Sequence, residues 1–345
     1  MELKWWVVLL MLLFGGWHQY NGCLEEENFA LLHLKPFFSH IAEVDNWPAA
    51  GGSSDCCQWE RVECNTTSGR VIGLLNLTNR ATWGDSVTYA YQSNGDIEYW
   101  RISDRDYRYF NASLFLPFAE LKSLYLDGNQ IAGFERLSQG LDKLEILDLS
   151  VNYFNESILS SLSEFSSLKS LYLGENKFTR TRLFNGIKEL SKLNNLETLD
   201  LNGNKLGNDI LSYLGGITSL KSLYLIRCGL KGIVDMQESN NLTKLKELYL
   251  RDNEIENLRF LQETERKFQL INLEVLGLSY NLVNNSILAV LSAFSNLKSL
   301  YLTENMLEGV IDIKELDNLS NLEELQIGCG GNYNYKPLKD LLTIS

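Results

Sequence analysis

A phrase of the form Leu-x-x-Leu-x-Leu-x-x-Asn, first clear from Leu121 to Asn129, returns from Leu144, Leu168, Leu196, Leu220, Leu245, Leu273, Leu297 and Leu322. A repeat with a period of about 20–29 residues is one coil of a stack, and a lone coil has nothing to cover its own apolar face. The phrase therefore predicts a solenoid of α/β class. Each copy adds one short strand to a curved parallel sheet on the concave side. Stacked coils present a broad open surface suited to binding, not a closed catalytic pocket. The 345 residues do not imply two domains, because a solenoid lengthens without enlarging a single core.

Each position of the phrase has a physical task. Leucines one, four and six point inward and stack on their counterparts, each worth about 1.5–3 kcal/mol when fully buried. The ninth-position asparagines, at 129, 152, 176, 204, 253, 281 and 305, can satisfy backbone groups where the strand turns. Cys228 takes that position in the coil from Leu220 and reads as a small buried member of the ladder rather than a reactive thiol. Cys329 falls one residue before the equivalent position and has no assigned partner.

Carried upstream, the phrase fits Ile72-x-x-Leu75-x-Leu77 and Ile97-x-x-Trp100-x-Ile102, with Arg80 and Arg105 where asparagine belongs. Eleven coils are then expected, beginning at 72, 97, 121, 144, 168, 196, 220, 245, 273, 297 and 322. From Leu168 the copies are 28, 24, 25, 28, 24 and 25 residues apart, a triplet with a 77-residue period. The coils at Leu196 and Leu273 agree through Ile210-Leu211 and Ile287-Leu288, and the coil at Leu144 resembles both. Duplication of a three-coil block accounts for this. The extra residues of the 28-residue coils are expected to bulge on the back of the solenoid.

The N-terminus reads as an export signal spanning residues 1–22. Lys4 precedes an apolar run from Trp5 to Phe14, and Gly15, Gly16 and Gly22 follow. That run is shorter than the ~20 residues a membrane-spanning helix needs, and no later stretch is long enough. Four cysteines cluster at Cys23, Cys56, Cys57 and Cys64, and their pairing is open from sequence because the adjacent Cys56 and Cys57 each need another partner. Export and the lack of Cys-x-x-Cys spacing argue against zinc or any other metal. Sequons begin at Asn65, Asn76, Asn111, Asn155, Asn241, Asn284 and Asn318 and are candidate glycosylation sites. A net charge of −13 disfavours nucleic acid and anionic membrane as partners.

Residues 23–70 read as a cap, and the repeats occupy 71–345. In the cap, Glu25, Glu26 and Glu27 suit a helix N-terminus, and Ala30, Leu34, Phe37 and Ile41 form one apolar face. Pro36 should end or kink that helix near Lys35. Residues 45–55, with Pro48, Gly51 and Gly52, read as loop.

The letters between the inward leucines face outward. The second-position column, Lys122, Glu145, Lys169, Glu197, Lys221, Lys246, Glu274, Lys298 and Glu323, alternates in sign with one break and reads as structural. The fifth-position column is Tyr125, Asp148, Tyr172, Asp200, Tyr224, Tyr249, Gly277, Tyr301 and Gln326. Tyrosine brings apolar area with a polar tip, so Tyr125, Tyr172, Tyr224, Tyr249 and Tyr301, with Arg227 and Arg251, are the candidate ligand-binding residues.

Cys23-Leu24-Glu25-Glu26, Ala30-Leu31-Leu32 and Cys56-Cys57-Gln58-Trp59-x-x-Val62-x-Cys64, followed by the repeats, resemble the plant leucine-rich-repeat receptor-like proteins. Asn111 to Phe118 and Ile311 to Leu316 add to the likeness. The resemblance implies the pairings Cys23–Cys56 and Cys57–Cys64. It also implies a secreted or cell-surface role in perceiving an extracellular protein or peptide in signalling or defence, with a membrane co-receptor kinase as partner and no cofactor. Such proteins run on into more coils, a C-terminal cysteine cap and a membrane helix, so the chain, ending at Ser345, reads as truncated and uncapped. The Gly-x-Ile-Pro segment common in plant coils is absent, approached only at Gly232-Ile233-Val234-Asp235 and Gly309-Val310-Ile311-Asp312. No phrase strand carries the Arg-x-Arg pair that related peptide-hormone receptors use. A soluble apoplastic inhibitor of microbial cell-wall-degrading enzymes is the alternative. Catalysis is not expected: His18, His33 and His40 lie in the signal and cap helix, and neither a nucleophile motif nor a kinase signature is present.

The strand facing is testable. Leu223→Asp should bury an unpaired charge and abolish secretion, whereas Tyr224→Ala should be secreted normally. Equal loss of secretion in the two variants, read by immunoblot of the medium, would reverse the assigned facing.

Overall fold

The computed structural model describes residues 22–38, 46–48, 55–75, 77, 108–135, 140–236, 241–259, 270, 272–308 and 319–328. The export segment before Gly22, the Ile97 template match, Asn76, Asn318, Gly309-Val310-Ile311-Asp312 and Cys329 lie outside them.

Each leucine phrase forms a three-residue strand: Ser123–Tyr125, Ile146–Asp148, Ser170–Tyr172, Thr198–Asp200, Ser222–Tyr224, Glu247–Tyr249, Val275–Gly277, Ser299–Tyr301 and Glu324–Gln326. All are parallel and in one register, so that fourth-position leucines lie side by side from Leu124 opposite Leu147 to Leu300 opposite Leu325. Parallel neighbours need a long crossover between them, and the rest of each coil supplies it. Leucines one, four and six are buried throughout, as Leu168, Leu171 and Leu173 show in one coil. They form one continuous core along the stack.

Asparagine nine locks each coil to the one before. Asn152 Nδ2 reaches the carbonyl of Leu126 in the preceding coil at 2.9 Å and those of Leu149 and Ser150 in its own. Its Oδ1 accepts the amides of Asn129 and Ile131. The pattern recurs at Asn176, Asn204, Asn253, Asn281 and Asn305. Cys228 fills the same position, fully buried, with Sγ 3.3 Å from the Leu201 carbonyl. Burial pushes its thiol far above the ordinary range, away from thiolate reactivity.

Val71–Leu74 is bonded directly to Ser123–Tyr125, with Gly73 opposite Ser123 and Leu74 opposite Leu124. The Leu77 amide donates to the Tyr125 carbonyl, and Asn129 Nδ2 donates to the Leu77 carbonyl at 2.6 Å. The described sheet holds ten parallel strands and one antiparallel cap strand.

The first coil is one residue out of phase at positions one and four. Its buried residues are Val71, Leu74 and Leu77, not Ile72 and Leu75. The cap sets this phase. Val62–Cys64 pairs antiparallel with Val71–Leu74, with an irregularity between Glu63 and Cys64. Disulfides join Cys23 to Cys56 and Cys57 to Cys64. Buried Glu27 accepts the amides of Leu24 and Val71 and pairs with Arg70 Nε at 2.8 Å. The cap helix, Glu25–Phe38, runs through Pro36 rather than stopping at Lys35. Phe38 is buried beside Phe37 and Phe110, and that packing outweighs the one backbone bond Pro36 removes.

The back of the solenoid varies more than its front. Short helices Ile158–Leu162, Ile210–Leu214 and Ile287–Leu291 occupy the three coils that resemble one another in sequence. The 28-residue coil from Leu168 carries an eleven-residue helix, Arg180–Leu190, on that side. Its partner 77 residues later instead forms a strand, Glu254–Arg259, paired with Lys231–Asp235. The strand spacing repeats after 77 residues, but the crossover does not.

Position eight takes a left-handed conformation in coil after coil, including Gly128, Val151, Glu175, Gly203, Arg227, Asp252, Tyr280 and Glu304. Val151, at φ 55°, is the β-branched member, and that conformation costs a non-glycine residue about 1–2 kcal/mol. Val151→Gly should therefore raise the melting temperature despite glycine's entropic cost. A lower value by differential scanning calorimetry would show that packing of the valine, not backbone strain, dominates there.

Candidate functional site

Position five of every phrase strand points away from the core, and in-register pairing turns the sequence column into a physical one. Tyr125 lies opposite Asp148, then Tyr172, Asp200, Tyr224, Tyr249, Gly277, Tyr301 and Gln326. The five tyrosines are half-buried. Tyr224 and Tyr249, adjacent in the column, stack with ring centroids 4.8 Å apart and planes 5° from parallel. Such a pair is worth about 0.5–1.5 kcal/mol beyond its area. A Cβ on Gly277 would lie 3.0 Å from the Tyr249 ring, so glycine there gives the ring its room. Tyr301 donates its hydroxyl to Glu324 at 2.8 Å. Burial, then the neighbouring Glu247 carboxylate, raises the Tyr224 phenol to about 12, so it stays a donor at physiological pH.

Asp148 and Asp200 alternate with the tyrosines. Each carboxylate accepts the amide two residues on, Ser150 or Asn202, at 2.8 Å. Burial pushes both up to about 6 despite those bonds. Neither is ion-paired among the described residues.

The arginines are not a free pair beside the tyrosines. Arg227 is at position eight, 3.4 Å from Glu175 and 3.6 Å from Asp252. Arg251 is at position seven, its guanidinium 4.7 Å from the centre of the Tyr280 ring. The second-position column pairs largely within itself. Lys169 meets Glu145, Lys221 meets Glu197, and Lys246 and Lys298 both meet Glu274. The two lysines hold the Glu274 carboxyl down to about 2, but exposed pairs of this kind contribute little stability.

A leucine-rich-repeat family model matches residues 195–217. The chain is 38% identical over 213 residues to Receptor-like protein 9a of Arabidopsis thaliana, an alignment covering 59% of this chain and 19% of that protein. It is 35% identical over 214 residues to Receptor-like protein 9b of the same plant, covering 59% of this chain and 20% of that one. The homologues of this chain are plant leucine-rich-repeat receptor-like proteins. The chain spans about a fifth of the length of these receptor-like relatives. In fold it matches the Arabidopsis receptor kinase HAESA, solved in complex with the peptide hormone IDA and the co-receptor SERK1, with a TM-score of 0.54 and 23% identity. That match covers 88% of this chain and 50% of the other.

In this receptor-like fold the described sequons lie off the phrase strands. Asn65 sits in the turn after Val62–Cys64, Asn111 ends the strand Arg108–Asn111, Asn155 and Asn284 precede short helices, and Asn241 precedes the next coil. Among the described residues no helix is long and apolar enough to cross a membrane. Asp148 and Asp200 stand in the fifth-position column, but their burial appears only once the coils are stacked.

Their ionisation has a measurable cost. A folded-state value of about 6 lies above the ordinary ~3.9 for Asp, so the folded chain holds these protons more tightly than the unfolded chain. The contribution of these two groups to stability is then greatest below about pH 4 and is lost as pH rises through about 6. Asp148→Asn with Asp200→Asn keeps the acceptors for Ser150 and Asn202 while removing the charge. The double variant should gain on the order of 1–3 kcal/mol per site at pH 7 and nothing at pH 4. Equal stability of the two proteins at pH 7, by chemical denaturation, would show that both carboxylates are well solvated.

Proposed function

We propose that this chain is the ligand-recognising part of a plant extracellular receptor-like protein. It binds a protein or peptide on the concave sheet, has no catalytic activity of its own, and works in cell-surface signalling or defence with a membrane co-receptor kinase. The single observation that carries this reading is the tyrosine column, five half-buried phenol rings aligned on one open sheet with two of them stacked. Tyr125, Tyr172, Tyr224, Tyr249 and Tyr301 are the proposed contact residues, flanked by Arg227 and Arg251. The sequons support it: glycans at Asn65, Asn111, Asn155, Asn241 and Asn284 would leave the phrase strands uncovered. The complex of HAESA with a peptide hormone and a co-receptor offers a precedent for both partners. The N-terminal sequence pattern and the disulfide-bonded cap support export and a cell-surface location.

Site-specific photo-crosslinking tests the reading. A benzophenone amino acid is placed at Tyr224 or, on the back of the solenoid, at Ser160, and the secreted chain is irradiated in plant extracellular fluid. A discrete adduct should form from position 224 alone and disappear with Tyr249→Ala. The same adduct from both positions, or none from 224, would remove the concave face as the recognition surface.

A further inference from the structure

The outward face of the phrase strands is unevenly charged. Across positions three, five, seven and eight of the nine phrases, the described residues hold eight carboxylates and two guanidiniums. Both guanidiniums are already engaged, Arg227 by Glu175 and Asp252, and Arg251 by the Tyr280 ring. The second-position column does little to offset this, since four of its five lysines meet its own glutamates. An excess of carboxylate set among aromatic rings complements a cationic partner, because the ring faces attract cations as well.

The spacing narrows that partner further. Asp148 and Asp200 share one column with Tyr172 between them, Tyr125 before and Tyr224 after. They are two strand steps apart, about 9.6 Å at ~4.8 Å per step. A fully extended peptide running along the column places same-face side chains at about 7 or 13 Å and misses this spacing. A polyproline-II segment rises ~3.1 Å per residue with three residues per turn, so side chains i and i+3 share a face about 9.3 Å apart. Such a segment has no internal hydrogen bonds and is ordered before it binds, and aromatic-lined surfaces commonly receive it.

We propose that the Tyr125–Tyr224 stretch of the concave face receives a polyproline-II ligand segment bearing arginine or lysine at positions i and i+3, one cation on Asp148 and the other on Asp200. This rests on the concave-face recognition reading and names the chemical class of its ligand. Residues between the two cations lie over Tyr172, where a proline ring packs on the phenol.

Synthetic peptides titrated into the full secreted chain by calorimetry at pH 7.5 test this. The probes are a proline-rich dodecamer containing Arg-Pro-Pro-Arg, an isomer with the two arginines adjacent, and a Glu-Pro-Pro-Glu counterpart. The first should bind at least about tenfold tighter than the isomer and weaken with salt, and the third should not bind. Asp148→Asn with Asp200→Asn, which keeps the Ser150 and Asn202 hydrogen bonds, should erase the preference while the chain remains secreted. Equal affinity for the two arginine peptides, unchanged affinity in the double variant, or no binding by any probe overturns the proposal. The concave-face reading fails separately, through the crosslinking outcome at position 224: an adduct there with no Asp148 or Asp200 dependence removes the cationic ligand and leaves the recognition surface.

Discussion

Everything in this molecule depends on how one coil finds hydrogen-bond partners in the next. A three-residue strand followed by a sharp turn strands several backbone groups in an apolar interior, where each unpaired one is costly. The asparagine at position nine resolves this with a single side chain. Asn204, for example, donates to the Leu173 carbonyl of the previous coil and to Leu201 and Asn202 in its own, while its oxygen accepts the amides of Asn176 and Phe178. Donors and acceptors from two coils therefore meet on one amide. The leucines supply most of the burial energy, but without the asparagine they would not fix the register.

That register produces the surface. Because the strands pair without slippage from Ser123–Tyr125 to Glu324–Gln326, letters that recur in sequence become columns in space. A column of alternating lysine and glutamate largely neutralises itself, whereas a column of tyrosine and aspartate does not. The aspartates lie between tyrosines in the column and, unpaired among the described residues, keep a charge that burial makes expensive. A surface held in that condition is poised to gain from a partner that brings the missing cation.

Much of the fold was legible from the leucine phrase because the spacing of inward residues is a direct statement of strand geometry. The facing of Leu223 and Tyr224, the placement of the eleven-residue helix Arg180–Leu190 on the back, and the buried position of Cys228 all follow from phase alone. Phase misreads the start of the stack. The first coil is shifted by one residue at positions one and four because the antiparallel cap strand and Glu27, not the repeat, hold Val71 in place. Pro36 likewise read as a kink or end of the helix because sequence shows the lost bond and not the aromatic packing of Phe38.

The sequence by itself determined the solenoid, the columns and the ancestry among receptor-like chains, because each is carried by local periodicity or by residue identity. Only the tertiary structure decided which coils are neighbours, that Tyr224 stacks on Tyr249, that Arg227 and Arg251 are already engaged, and that Asp148 and Asp200 sit desolvated between rings. The physical reason is one of range. Periodicity reports what a residue does within its own coil, whereas stacking, ion pairing and desolvation arise between residues more than 20 positions apart and exist only once the coils are brought into contact.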